Sequence, residues 1–493
     1  MSDETPPPPD PDTPPRWPLE PPAAEMRAAI DNVAARIVDH LVSLPDQDAW
    51  GNGDDADVAA AVRRAREPLP TAGSDLDDLL EYLFAEAVPR SFNTAGPGYL
   101  AYIPGGGLFD SALAAWIADS VNRYVGVFAA APVLSQLEAN VVAWFAQIIG
   151  YPEQARGFLT SGGSLANLTG VVTARREKLG EDFMDGVIYA SDQIHHSVLK
   201  AAALAGLPQR GVRVVPSDDR FRLDVAALQA AIEEDRAAGL KPFLVVASAG
   251  TTNSGAIDPL DAVADVAAAE GLWMHVDGAY GGFFAMTARG RAALSGLERA
   301  DSVVLDPHKS LFMPYGSGCL LVRDGEALRR AHSVHADYMP ALQEDGDLVD
   351  FCEISPELSR GFRGLKVWLP MKRYGAEAFR AALDEKLDLV EWATDQLRAM
   401  PDVEIVAAPQ VTVVAWRWCP PAAGAAGWDD INRELMRRIN ARNHVYLTST
   451  RLNGDFVIRI CVLSFRTHRD RMEIAVHDVR DAIAEIEAEA CNT

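Results

Sequence analysis

Residues 243–280, FLVVASAGTTNSGAIDPLDAVADVAAAEGLWMHVDGAY, decide the fold. Two short apolar runs, Phe243 to Gly250 and Leu272 to Asp277, flank a stretch of helical spacing in which Leu260, Val263 and Ala267 share a face. Asp258 can cap that helix, Pro259 sits in its first turn and Gly271 ends it. Strand, helix and strand in this order predict a βαβ unit and a mostly parallel sheet. An earlier helix has the same punctuation, with Asp224 ahead of Val225, Leu228 and Ile232.

Outward from this unit the pattern changes twice. Residues 5–22 (TPPPPDPDTPPRWPLEPP) cannot sustain a helix or central strand, because proline lacks the amide donor, so 1–22 is expected to be a disordered tail. From 23 to 95 the apolar residues Ile30, Val33, Ile37 and Leu41, then Leu79, Leu80 and Leu83, recur at helical spacing, and a helical segment that serves packing is expected. The α/β pattern fills 96–375. Beyond Gly375 come a long helix, strands at 403–406 and 411–418, a helix near 429–442, a strand at 456–463 and a closing helix, which predict a small α+β domain over 376–493.

The 493 residues carry 45 Lys plus Arg against 70 Asp plus Glu, a net charge of −25, so the overall field repels nucleic acid and anionic membranes. The hydrophobic share of 48% is that of a globular protein, and no stretch reaches the length of a membrane span. Five scattered cysteines suit neither a disulfide framework nor a metal site, and the N-terminus has no secretory pattern. A cytoplasmic protein without a metal is expected.

Chemistry-bearing residues sit at four strand ends. LDPHKSLF (305–312) runs a strand into Lys309, and a lysine at the carboxyl end of a strand, desolvated, can offer a free amine to an aldehyde. LWMHVDGAY (272–280) ends a strand in Asp277, which could face a cationic ring nitrogen while Gly278 and Ala279 admit a flat ring. FLTSGGSLANL (158–168) is a strand, a Ser-Gly-Gly-Ser turn and a helix start, whose backbone amides can bind phosphate. ASDQIHHSV (190–198) places His195 where an imidazole can stack on a ring or relay protons. Alone, each has a plain structural reading: a surface lysine, a turn-capping aspartate, an ordinary helix start, a hydrogen-bonded histidine. Their joint order on one sheet points to a single site.

DPHK, HVDGAY and SDQIHHS together resemble the pyridoxal-dependent group II amino acid decarboxylases, from about Pro97 to Trp368 and more weakly to Arg459. The resemblance implies pyridoxal phosphate (PLP) as cofactor and the fold of the type I PLP-dependent transferases: a mostly parallel large domain with a helical N-terminal segment and a small α+β C-terminal domain. It implies that Lys309 is the Schiff-base lysine, that Asp277 partners the ring nitrogen, that His195 stacks on the ring and that Ala279 packs on its other face. Gly163 and Ser164 resemble the phosphate cradle, His308 a further phosphate contact and Thr252 a residue lining the cofactor. Tyr338 falls where the family's mobile loop carries a tyrosine, a candidate proton donor to the α-carbon.

Tyr102 and Pro104 of PGYLAYIPGGGLF (97–109) match the family's substrate-pocket stretch. Arg459, in the strand FVIRICV, matches an arginine that meets substrate carboxylate in glutamate-specific relatives; a structural ion pair is its other reading. The chain departs from the aromatic-specific members at Gly105, where they have threonine, and at Gly126, where they have phenylalanine; Asp306 replaces a common asparagine. The expected reaction is decarboxylation of an L-amino acid, aromatic favoured, with glutamate, diaminobutyrate or aliphatic substrates as alternatives. Tyr338 argues against the oxidative, aldehyde-forming branch. Lys309, Asp277 and His195 together argue against a binding-only relative. The family's typical homodimer, with sites at the subunit interface, is also expected.

Overall fold

The computed structural model describes residues 17, 19–51, 55–334 and 348–491; most of the expected proline-rich tail and the candidate donor Tyr338 lie outside them. The chain forms two units, one of residues up to Gln47 with Gly51–Asn93, the other of Asp48–Trp50 with everything from Thr94 onward.

The second unit contains both sheets. The larger is built from β1 (Arg156–Thr160), β2 (Gly186–Ser191), β3 (Val212–Val215), β4 (Lys241–Ser248), β5 (Trp273–Asp277), β6 (Ser302–Leu305) and β7 (Gly318–Val322), in the order β1-β7-β6-β5-β4-β2-β3. Only β7 runs against its neighbours. The βαβ unit read from residues 243–280 is β4, the helix Leu260–Glu270 and β5, and β4 pairs with β5 in parallel. Every residue of β5 and β6 is buried, as expected of strands covered on both faces.

Gly271, at φ 66, ends the connecting helix in the left-handed conformation that glycine adopts without strain. Asp258 does not cap that helix. Its carboxylate instead accepts from the amides of Leu223 (2.7 Å) and Ser248 (2.7 Å). Asp224 does cap its helix, accepting from Ala226 and Ala227.

The smaller sheet has β8 (Val403–Ala407), β9 (Val413–Trp418), β10 (Thr448–Leu452) and β11 (Asp455–Cys461) in the order β10-β11-β9-β8, all antiparallel. Helices Gly424–Ala441 and Arg469–Ala490 bury Leu435, Ile439, Met472 and Val479 in the core with Trp416 and Trp418. The helical run Leu365–Arg398 is interrupted at Gly375, whose φ of 76 and ψ of 158 are not helical.

The first unit holds the helices Ala23–Ser43, Asp55–Arg64 and Leu76–Glu81, followed by a π-helical turn, Tyr82–Ala87. The expected packing face is not buried by the chain itself: no residue of Ala23–Ser43 is buried, and Ile30 and Ile37 stay 41% and 38% exposed. Among the described residues no helix is long and apolar enough to cross a membrane.

Candidate active site

The carboxyl ends of β1, β2, β4, β5 and β6 open on one edge of the large sheet, where Ser248 pairs in register with Asp277, and Asp277 with Val304. A cavity of about 270 Å³ lies there. It is lined by the turn after β1 (Gly163, Ser164), by His195 after β2, by Thr252 after β4, by Asp277 and Ala279 from β5, and by His308 and Lys309 after β6. These eight residues were each singled out from the sequence, and the fold gathers all of them.

The lysine end is charged. Lys309 Nζ lies 3.2 Å from Asp306 Oδ2, and His308 Nε2 lies 3.6 Å from the same oxygen. His308 Nδ1 donates to the Ser317 carbonyl at 2.5 Å, and burial holds this imidazole below its usual pKa. Asp306 is almost wholly buried and its Oδ1 has no hydrogen-bond partner among the described residues, so the carboxylate at the asparagine position serves as counter-ion to Lys309 and keeps one acceptor in hand.

The glycine turn is shaped by what surrounds it. A Cβ on Gly163 would stand 2.9 Å from Asp306 Oδ2 and 3.2 Å from the Ala279 Cβ, so only glycine leaves the space open. Two arginines hold the strand behind this turn: Arg360 and Arg363 each donate to the Leu159 carbonyl at 3.1 Å. Arg360 also pairs with Glu138, both side chains fully buried, and the other Glu138 oxygen accepts from the Gly364 amide at 2.9 Å.

Asp277 is fixed through both oxygens, Oδ1 by the Ala279 amide (3.2 Å) and Oδ2 by the Asn167 side chain (2.9 Å). His195 Nδ1 is 2.7 Å from the Ser197 hydroxyl. Burial lowers the pKa of His195 against the opposing pull of Asp277, so the imidazole is held toward its neutral form.

The three substrate candidates fall elsewhere. Tyr102 is 52% exposed and Pro104 is buried, and neither lines this cavity. The loop that carries them nevertheless abuts the lysine segment, since a Cβ on Gly105 would be 2.2 Å from the His308 carbonyl oxygen. A threonine is therefore excluded at position 105 in this backbone. Arg459 corrects its ion-pair reading: it forms no ion pair with a carboxylate among the described residues, and its buried guanidinium is hydrogen-bonded to the chain. It donates to the carbonyls of Thr252 and Asn253 (3.0 Å for Asn253) and to the Thr448 hydroxyl (3.2 Å). It thus holds from behind the loop that presents Thr252.

Sequence reading missed Asn167, Ser197 and Asp306 as members of the site. Asn167 did leave a signal: four residues after Gly163 it puts a poor helix former on the same helix face as the turn.

A strand-end lysine with a carboxylate counter-ion, a doubly hydrogen-bonded aspartate, a neutral histidine and a glycine turn at a helix start fit PLP part by part: amine, ring-nitrogen partner, ring face and phosphate cradle. Fold and site together define a PLP-dependent enzyme of fold type I. Comparison with known proteins narrows the class. The model of the pyridoxal-dependent decarboxylase conserved domain matches residues 63–419, and the chain belongs to that family, the PLP-dependent amino acid decarboxylases.

The aromatic-L-amino-acid decarboxylase of Bacillus atrophaeus is 35% identical over 453 residues, 91% of this chain and 94% of that protein. Tryptophan decarboxylase 1 of Oryza sativa subsp. japonica is 32% identical over 422 residues, 80% of this chain and 82% of that protein. A crystal structure of Oryza sativa TDC with PLP and tryptamine superposes with a TM-score of 0.89 at 29% identity, covering 96% of this chain and 99% of that one.

Proposed function

We propose that this enzyme decarboxylates an aromatic L-amino acid to its amine and carbon dioxide, with Lys309 as the residue that carries PLP. The observation that supports it most directly is the convergence of Lys309, Asp277, His195 and the Gly163 turn on one cavity. The aromatic preference is supported by two relatives above 30% identity that act on aromatic amino acids by name.

In this reading Lys309 would hold the cofactor's aldehyde carbon and Asp277 its ring nitrogen. Gly163, Ser164 and His308 would hold the phosphate, with His195 and Ala279 on the two ring faces and Thr252 beside them. Bound there, PLP supplies an electron sink for the pair left on the α-carbon when carbon dioxide departs. The protein's own tasks are electrostatic and positional. Asp277, with both oxygens already bonded, presents a fixed negative charge that needs no reorganisation. Asp306 keeps the Lys309 amine in place from 3.2 Å. Tyr338, which lies outside the described residues, is the proposed donor of the proton that the α-carbon takes up. Gly105 forbids a threonine side chain, so whatever grips the substrate ring differs there from the aromatic-specific members.

Purified enzyme with PLP is expected to release carbon dioxide from phenylalanine, tyrosine, tryptophan or DOPA in a screen of amino acids, and Lys309→Ala to abolish turnover. Full turnover by Lys309→Ala would sink the proposal. A phenylacetaldehyde synthase of Arabidopsis thaliana, 28% identical over 456 residues, keeps an oxidative outcome in play. Stoichiometric amine without peroxide or ammonia separates the two, and Tyr338→Phe is expected to move product toward the aldehyde.

The unburied apolar face of Ala23–Ser43 supports a homodimer in which a second copy covers it. Light scattering on Ile30→Glu/Ile37→Glu should then read a monomer. Five unpaired cysteines suit a cytoplasmic location, which cell fractionation would test.

A further inference from the structure

A row of buried polar side chains joins the residue that would hold the ring nitrogen, Asp277, to one that would lie on a ring face, His195. The indole Nε1 of Trp273 lies 2.8 Å from Ser302 Oγ, which lies 2.7 Å from His275 Nδ1. His275 Nε2 is 2.9 Å from Asn167 Oδ1. Asn167 Nδ2 then reaches both Asp277 Oδ2 and Ser197 Oγ, each at 2.9 Å, and Ser197 Oγ is 2.7 Å from His195 Nδ1.

Hydrogen-bond chemistry allows this row only one sense. An indole N–H can only donate, so Ser302 accepts from Trp273 and has its own hydrogen available for His275 Nδ1. From the opposite end, the Asp277 carboxylate offers only lone pairs, so the Asn167 atom facing it must be the nitrogen. The amide so fixed turns its oxygen to His275 Nε2, which must donate to it, and this leaves the neutral ring's Nδ1 to accept from Ser302. With its two hydrogens directed at Asp277 and Ser197, Asn167 makes Ser197 an acceptor and frees the Ser197 hydroxyl hydrogen for His195 Nδ1. The Ser197 amide adds a second donor to that nitrogen at 3.3 Å.

We propose that Asn167 is a positioning residue whose amide couples Asp277 to His195: it supplies a permanent donor to Asp277 Oδ2 and, through Ser197, locks His195 as the uncharged Nε2–H tautomer. The inference rests on the roles proposed above for Asp277 and His195, and adds to them how the carboxylate is held and the His195 tautomer set before any ligand arrives.

Two further observations support it. Gly170 sits in the middle of the helix Gly163–Leu179, where glycine costs about 1 kcal/mol relative to alanine. A Cβ there would stand 2.6 Å from His275 Cε1, so the helix gives up a side chain to seat the ring that orients Asn167. Burial also pushes His275 down to about 4, which keeps it a neutral relay at working pH. The groups facing His195 are Asp277 and Asp306, which favour its charged form, and His196 and Lys309, which oppose it.

The test is nitrogen NMR of histidine-labelled protein, without PLP and loaded with it, with the His195 signals assigned by their loss in His195→Gln. Ring nitrogens with and without a proton differ plainly in shift. At pH 7 the cofactor-free protein is expected to show His195 protonated on Nε2 alone. Ser197→Ala should give a tautomer mixture and raise the His195 midpoint by about one pH unit. Asn167→Ala should do the same to His195 and also weaken PLP about tenfold or more, because Asp277 loses a donor. A proton on Nδ1 in the unsubstituted protein overturns the proposal. So does a Ser197→Ala protein whose His195 keeps the original tautomer and midpoint. A chain that shows this tautomer yet releases no carbon dioxide refutes the decarboxylase reading and leaves the coupling standing.

Discussion

Replacing Glu138 by alanine tests how the phosphate end of the site is supported. Glu138 and Arg360 are both fully buried and paired, and Arg360 also donates to the Leu159 carbonyl one residue before the end of β1. Alanine leaves the guanidinium buried without a counter-charge, which typically costs 3–5 kcal/mol, about ten times the value of an exposed pair. The Gly364 amide, bonded to Glu138 at 2.9 Å, loses its acceptor as well, for about 1 kcal/mol more. A loss of about 4–6 kcal/mol is a large part of the 5–15 kcal/mol that holds a typical protein folded.

Removing the stranded charge as well should return much of it. Glu138→Ala/Arg360→Met is expected to be more stable than Glu138→Ala by about 2 kcal/mol, although it gives up the bond to Leu159. Urea unfolding of the PLP-loaded enzyme, with PLP retention followed by absorbance, reads both effects. If Glu138→Ala costs under about 1 kcal/mol, or the double substitution is worse than the sum of its parts, the pair is not the support argued here.

Three other perturbations discriminate as sharply. Gly163→Ala should weaken PLP at least about tenfold without lowering the melting temperature of the cofactor-free protein, since its Cβ would enter the cradle 2.9 Å from Asp306 Oδ2; unchanged affinity in an absorbance titration would refute the cradle. Arg459→Met should weaken PLP through the released Thr252 loop, whereas a raised KM with PLP affinity intact would favour the substrate role. Burial holds His332 near 4 in the folded chain against about 6.5 unfolded, so the unfolded state binds the extra proton and stability falls as pH drops through that window. His332→Asn should flatten the fall by up to about 1.4 kcal/mol per pH unit in urea midpoints taken from pH 6.5 to 4, and an unchanged slope would mean that His332 is not the group responsible.

The eight cavity residues singled out from the sequence were legible because each sits at or just past the end of a strand that reads as apolar, and strand ends are where such sheets expose their chemistry. The same logic hid the supports. Asn167, Ser197 and Arg360 act through partners 30, 110 or 222 positions away, and no local pattern announces such a pairing. β10 was missed because TSTRL has no apolar alternation; its pairing with β11 makes it a strand. Asp258 shows the opposite failure, a residue of cap-forming type whose carboxylate was drawn to two amides outside the helix it precedes. Arg459 followed the rule that buried cations need partners, yet the partners are carbonyl oxygens, which are invisible in a list of side chains.

β7 lies between β1 and β6 although it follows both in the chain, and this has a consequence for synthesis. The glycine turn emerges from the ribosome long before Lys309, and its strand β1 is hydrogen-bonded into the sheet only through residues 318–322. Loop closure over such separations is slow, and the early strands wait with unpaired edges. Cofactor can therefore stabilise only a chain already threaded past β7, and its capture marks the completion of the sheet, after which mass action favours the finished enzyme over every shorter intermediate.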